Sequence, residues 1–131
     1  MKIVSITARY LLGLLFTVFG LNGFLHFIHQ PPPSDPLALQ FLVAVSASHF
    51  AAFFFAVQVV GGLLLLSGYF VPLALILLAA ELYNILAFHL MFESGSGIGP
   101  GLLACVLWVL VFFQYRANFY SILTPKPASQ P

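Results

Sequence analysis

The 131 residues of the chain are 62% hydrophobic and only 5% charged, and the formal net charge is +1. A mean hydropathy of +1.09 with so few charges excludes a soluble globular domain and indicates an integral membrane protein. The small net charge offers no basic surface for nucleic acid, and a single cysteine, Cys105, excludes an internal disulfide. Because a helix needs roughly 20 residues to cross a bilayer, the length leaves room for four spans in one domain.

The first apolar run predicts a membrane-spanning helix over residues 8–28, ending before the proline run at residues 31–33, because proline cannot continue a helix. A cleaved signal peptide is the alternative. The run is longer than a signal-peptide core, carries Asn22 and His26, and has no small-x-small cleavage site after it. We therefore interpret it as span one.

The middle of the chain predicts an antiparallel hairpin of two spans. Residues 37–47 are too few to cross a membrane, so they predict a short interfacial helix, with an extension of span two as the alternative. Span two is predicted over residues 49–67 and span three over residues 72–90. The short connection at residues 68–71 leads into a proline that suits a helix start.

The last predicted span covers residues 100–115, and the proline-containing tail at residues 124–131 is predicted to be disordered. Residues 1–123 then form a single transmembrane domain. The basic residues Lys2 and Arg9 precede or open span one, and Arg116 and Lys126 follow span four. This distribution predicts cytoplasmic termini. The predicted fold is an all-α membrane protein, a four-transmembrane-helix bundle with a short interfacial helix between spans one and two.

Glu81 is the most informative residue, because it lies at the centre of span three, where a charged side chain costs about 2.5 to 3.5 kcal/mol. Gln58 lies ten residues before Gly68, and Glu81 lies ten residues after Val71. Antiparallel helices of equal rise therefore place the two side chains at one depth. We expect a protonated Glu81 to share hydrogen bonds with Gln58. An interhelical structural contact is one interpretation, and contact with a ligand or proton is the one we favour.

Polar and aromatic side chains on three spans complete a predicted ligand site. At 100° per residue, Asn84 and Phe88 share a face with Glu81, and His89 lies about 80° to the other side. Asn22, His26 and His29 form a predicted stripe within about 60° on span one. The predicted ligand-binding residues are Asn22, His26, Gln58, Glu81, Asn84, Phe88 and His89. Glu81 and His89 are the catalytic candidates.

All four histidines belong to the outward half of this topology: His26, His29, His49 and His89. Three of them, His26, His49 and His89, are predicted to be nearly level and could bind zinc, copper or haem, or pass protons. On a straight helix, however, His49 lies about 180° from Gln58. We therefore favour polar residues at the membrane interface over a metal or haem site.

Other patterns predict packing. Span four carries a stripe of four side chains: Cys105, Trp108, Phe112 and Tyr115. The aromatic members are interpreted as core contacts and Cys105 as an inert buried thiol. Four glycines are interpreted as points of close helix approach: Gly13, Gly20, Gly61 and Gly62.

Three segments together resemble the DoxX family of small four-helix membrane proteins. They read FGLNGFLHF at residues 19–27, QVVGGLLLLSG at residues 58–68 and NILAFHL at residues 84–90. The family commonly has glutamate where this chain has Gln58, and looks apolar where it has Glu81. We hypothesise that the carboxylate has moved across the hairpin; the exchange of both residues described in the Discussion tests this.

The resemblance implies a quinone-linked or redox-associated subunit in the bacterial inner membrane. A quinone needs an apolar slot and a proton donor, which phenylalanines with Glu81 or His89 could supply. The chain has no flavin or nucleotide fingerprint, so electrons would come from a partner protein. The alternatives are a non-catalytic membrane anchor or assembly subunit, and a homo-oligomeric conduit for protons or an apolar solute.

Overall fold

The computed structural model describes all 131 residues, and its regular secondary structure is entirely helical. Five α-helices are followed by a short 3-10 helix over Arg116–Phe119: α1 (Lys2–Leu25), α2 (Pro36–Ala47), α3 (Ala51–Ser67), α4 (Val71–Met91) and α5 (Gly99–Tyr115). The predicted bounds of the interfacial helix and of spans three and four agree with α2, α4 and α5 within one residue. Residues 124–131 form no helix and are exposed, and their predicted disorder stays a prediction.

The first helix is shifted toward the N-terminus relative to the prediction, since it begins at Lys2 and ends at Leu25. It ends early because His26 adopts a left-handed backbone conformation, with φ at 54°. The Asn22 side chain fixes this turn: its Oδ1 accepts from the Ile28 amide at 2.6 Å, and its Nδ2 donates to the Ile28 carbonyl at 3.4 Å. His26 and His29 therefore lie beyond the helix, and the predicted stripe on span one is wrong.

A sharp bend separates α2 from α3. Asp35 caps α2 by accepting a hydrogen bond from the Ala38 amide at 2.8 Å, and the helix stops at Ala47. His49 has a positive φ of 59° in the break, so it belongs to neither helix. The axes of α2 and α3 differ by 81°. Residues 37–47 thus form a separate helix, and span two begins at Ala51 rather than at His49.

Three helical segments are long and apolar enough to cross a membrane: Lys2–Leu25, Val71–Met91 and Gly99–Phe119. A fourth crossing results if α2 and α3 count together as one bent span. The α3 helix alone has only 17 residues. By length and composition the chain therefore has three candidate spans, or four with the bent pair.

The four longer helices pack as a ring in which α1 and α4 each contact both α3 and α5. The α3–α4 hairpin closes through Gly68 and Phe70, which have φ angles of 77° and 53°. The largest fully buried side chains fill the ring: Leu12, Phe16, Leu65, Val71, Leu75, Leu78 and Val111. The α2 helix lies outside this ring and contacts α3 only weakly.

Glycines bring α1 and α3 into close contact. A Cβ atom at Gly62 would lie 2.4 Å from Thr17 Oγ1 and 2.7 Å from the Thr17 amide nitrogen. At Gly13 it would lie 3.1 Å from the Gly62 carbonyl oxygen, and at Gly20 it would lie 2.9 Å from the Val59 amide nitrogen. Backbone atoms limit the space at all three positions, so the prediction that these glycines permit close helix approach is confirmed.

Polar contacts join α1 to α3 and α5 at the end of the ring that holds the N-terminus, which we call the basic end. The Arg9 guanidinium donates to the Leu65 carbonyl in the last turn of α3 and lies 4.5 Å from the centre of the Tyr10 ring. Ser5 Oγ donates to the Leu110 carbonyl of α5 at 3.1 Å. A cation at a helix C-terminus satisfies a free carbonyl and opposes the negative end of the helix dipole.

We expect Arg9→Met to lower the free energy of unfolding by about 1 to 2 kcal/mol, because both the hydrogen bond and the dipole interaction are lost. Lys2→Met is the matched control, since it removes one positive charge from the same helix at an exposed side chain that makes no hydrogen bond. Thermal unfolding in detergent measures the difference. Equal melting temperatures for the two variants would contradict a capping role for Arg9.

Candidate functional site

A cavity of about 1140 Å³ opens at the opposite end, which we call the cavity end. It is lined by residues from all five helices and from the connections at residues 26–33 and 93–97. Small-molecule sites commonly enclose about 300 to 1,000 Å³. The cavity is therefore large enough for a ligand of ordinary cofactor size.

Aromatic side chains form much of the cavity wall: Phe16, Phe19, Phe24, Phe27, Phe55 and Phe88. Phe24 and Phe55 meet edge to face, with ring centres 6.1 Å apart. Gly23 makes room for Phe55, because a Cβ atom there would lie 2.1 Å from Phe55 Cγ. The wall thus presents flat apolar surfaces to an occupant.

All four histidines line this one cavity, which confirms that they share one end of the molecule. His26 and His49 lie in breaks between helices, whereas His89 lies in the last turn of α4. No group of three His, Cys, Asp or Glu side chains lies close enough to hold a metal ion. The predicted metal candidates His26, His49 and His89 are therefore not brought together as a ligand set.

His89 forms a short polar contact with Glu93 at the cavity wall. The distance from His89 Nδ1 to Glu93 Oε2 is 2.6 Å, and the Ser96 carbonyl oxygen lies 3.1 Å from the same nitrogen. A carbonyl oxygen can only accept, so Nδ1 is assigned as the protonated nitrogen. Nε2 makes no hydrogen bond within the chain and is the ring nitrogen left for an occupant.

Gln58 and Glu81 are hydrogen bonded, as the hairpin geometry predicts. Gln58 Nε2 lies 3.3 Å from Glu81 Oε2, and the two residues are 8% and 5% exposed. Gln58 lines the cavity, whereas Glu81 lies behind it and is not part of the wall. An occupant could therefore contact Gln58 directly and Glu81 only through Gln58.

Two predicted ligand residues have other roles. Asn84 is exposed on the outside of α4, where its Nδ2 donates to the Ala80 carbonyl at 2.9 Å, and it does not line the cavity. The buried face of α4 centres near Leu78, so a further rotation of about 60° beyond Glu81 takes Asn84 out of the ring. Asn22 lines the cavity, but its amide is bonded to the Ile28 backbone.

Phe88 lines the cavity as predicted and also supports α2. Its ring centre lies 5.8 Å from that of Phe41 and 5.3 Å from that of Phe92. On α5, Trp108 Nε1 donates to the Leu75 carbonyl at 2.9 Å, and its ring stacks on Phe112 at 5.2 Å. The packing interpretation of these α5 aromatic residues is confirmed.

Sequence reasoning missed Glu93 as a site residue. Its spacing of four residues from His89 is not a helical signal, because α4 ends at Met91 and Glu93 lies in the loop that follows. Sequence reasoning also missed Gln30, which lines the cavity. No sequence pattern singles it out.

Comparison of the chain with protein-family profiles, curated proteins and solved structures gave no match.

Proposed function

We propose that this chain is a four-span protein of the bacterial inner membrane that binds an apolar, carbonyl-bearing ligand such as a quinone. In this proposal it is a redox-associated subunit similar to members of the DoxX family. The observation that carries the proposal is the combination, in one cavity, of aromatic walls and the His89–Glu93 pair. Such apolar pockets with a few directed polar groups are typical of small-molecule sites.

The charge distribution supports an outward-facing cavity. Lys2, Arg9 and Arg116 lie at the basic end of the helices, whereas Asp35 and Glu93 lie at the cavity end. Basic residues are enriched on the cytoplasmic side of membrane proteins. With α2 and α3 as one bent crossing, both termini would be cytoplasmic and the cavity would open on the outer side.

The residues of the cavity fit a quinone ring by their chemistry. Phe24, Phe55 and Phe88 offer apolar surfaces, and the planar conjugated ring of a quinone can pack against such faces. Gln58 and His89 Nε2 offer hydrogen-bonding groups at separate points on the wall. A bound quinone would supply two-electron redox chemistry with uptake of protons, and the electrons would come from a partner protein.

His89 is the residue that we expect to hold the proton. Glu93 orients the ring through Nδ1, which leaves Nε2 to accept from, or donate to, a ligand oxygen. Glu81 would act behind Gln58, without touching the ligand.

The second candidate function is a non-catalytic anchor or assembly subunit. One observation favours it: Glu81 is hydrogen bonded to another side chain of the protein, Gln58, and does not line the cavity. Polar contacts of this kind hold membrane helices together. In that case the pair would fix the register of α3 against α4.

Titration of a short-tailed ubiquinone into the detergent-solubilised protein, followed by calorimetry, tests the first candidate. We expect His89→Phe to weaken binding about tenfold, because one hydrogen bond is worth about 1 to 1.5 kcal/mol. Ala52→Trp should weaken binding, since Ala52 lines the cavity and the larger side chain would take up part of it. Glu93→Gln should have a smaller effect than His89→Phe.

Tyr83→Phe is the control, because Tyr83 is 74% exposed and lies away from the cavity. Its affinity should equal that of the unmodified protein. The proposal would be contradicted if ubiquinone bound the protein no better than empty micelles. It would also be contradicted if His89→Phe and Ala52→Trp both left the affinity unchanged. Either result would favour the anchor function.

A further inference from the structure

Asn84 lies on the outside of α4, at a depth where a spanning helix meets hydrocarbon. It follows Glu81, the midpoint of the 21-residue helix, by three residues, which is about 4.5 Å along the axis. A hydrocarbon layer about 30 Å thick therefore encloses this position. Polar side chains in membrane spans almost always face protein or water, so an exposed Asn84 requires a partner.

The Asn84 amide is only partly satisfied within the chain. One N–H group donates to the Ala80 carbonyl of the same helix. The second N–H group and the carbonyl Oδ1 make no hydrogen bond within the chain. Both a donor and an acceptor therefore remain available on one exposed side chain.

The surface around Asn84 is suited to another helix. Ala80 and Ala87 lie on either side of Asn84 along the outer face of α4, and small residues let helix backbones approach closely. Farther along the same face, Leu73 and Met91 are 48% and 76% exposed. No charged side chain interrupts this face, which we call the Asn84 face.

We propose that the Asn84 face is the interface of a parallel, two-fold homodimer in which the Asn84 amides of two copies bond to each other. The occupant is a second copy because an amide is complementary to itself, offering both a donor and an acceptor. Two copies inserted with the same orientation carry Asn84 at the same depth, and a two-fold axis places like residues opposite each other. Paired asparagines are known to specify parallel helix dimers.

This proposal does not rest on the function of the cavity, because the Asn84 face and the buried face of α4 lie on opposite sides of that helix. A dimer formed here leaves the cavity wall unchanged. The two proposals can therefore fail separately.

Cysteine cross-linking of the full chain, in the membranes of the bacterial cells that express it, tests the interface. In a Cys105→Ala background, Ala80→Cys and Ala87→Cys should each form a covalent dimer under oxidation, because two-fold contacts place like positions close together. Val106→Cys is the matched control. Val106 is 58% exposed and lies at a depth near that of Ala80, since Gly101 packs against Ile85 and Leu86 on the antiparallel α4.

Asn84→Leu should weaken dimerisation about 3- to 30-fold, the range expected for a polar contact between membrane helices. Asn84→Gln keeps the amide and should stay close to the unmodified protein. Because Asn84 is exposed, both variants should retain their helical content by circular dichroism. The proposal is overturned by absence of cross-linking at Ala80 and Ala87, by equal cross-linking at Val106, by a product containing a different protein, or by an undiminished dimer in Asn84→Leu.

Discussion

Gly62→Ala is expected to destabilise the protein by about 2 to 3 kcal/mol, the cost of overpacking a tight contact. The added Cβ would lie 2.7 Å from the Thr17 backbone nitrogen and 2.4 Å from Thr17 Oγ1. A side-chain rotation could move the hydroxyl, but only separation of α1 from α3 could move the backbone. These two helices form the most extensive contact in the molecule, so their separation should affect the whole ring.

Gly99→Ala is the matched control for this substitution. Nothing lies within 4 Å of a Cβ built at Gly99, so the added methyl group meets no neighbouring atom. Thermal unfolding of both variants in the same detergent gives the comparison. The expected result is a lower melting temperature for Gly62→Ala alone; two equal melting temperatures would refute the steric argument.

The second large effect is expected when the Gln58–Glu81 pair loses one member. Glu81→Leu leaves the Gln58 amide without its buried partner, and an unsatisfied buried polar group costs about 1 to 3 kcal/mol. Gln58→Leu should cost at least as much, because it leaves a carboxyl group alone among apolar side chains. Thermal unfolding of the two single variants and of the double variant measures the coupling free energy between Gln58 and Glu81.

The double variant Gln58→Leu with Glu81→Leu should lose less stability than the sum of the two single variants, because no polar group is then left unpaired. The exchange Gln58→Glu with Glu81→Gln should preserve folding and ligand binding, since the same two groups meet at the same depth. If the exchange failed while each single change was tolerated, the idea that the carboxylate can sit on either helix would be wrong. A stable Glu81→Ala variant that had lost quinone binding would instead favour a functional role for the acid.

Helix positions could be predicted because apolar runs and helix breakers are local signals. Asp35 and Pro36 mark the start of α2, and Gly68 marks the end of α3. The pairing of Gln58 with Glu81 could also be predicted, since a short connection and equal rise fix the relative depth of two antiparallel helices. The sequence alone was therefore enough to predict that these two residues lie at the same depth along their helices.

Rotation of a helix about its axis and the path of a loop depend on contacts distant in sequence. The outward position of Asn84 follows from which side of α4 packs into the ring. A helical wheel that assumes Glu81 lies at the centre of the buried face wrongly places Asn84 inside. The end of α1 depends on the Asn22 side chain turning back to Ile28. The His89–Glu93 contact lies beside a loop in which Ser94 has a positive φ of 51°, a conformation that local preference does not predict.

The core described above occupies only one half of the molecule along its axis. Every one of the seven largest fully buried side chains lies between the basic end and the level of Gln58 and Glu81. Of these only Phe16 also lines the cavity, and most of the cavity wall lies in the other half. Regions with few buried apolar contacts open at the lowest free energy. The basic half is therefore stabilised by its own buried side chains, and the cavity half is expected to open more easily. If the proposed ligand binds, it would add apolar contacts to the half that has the fewest.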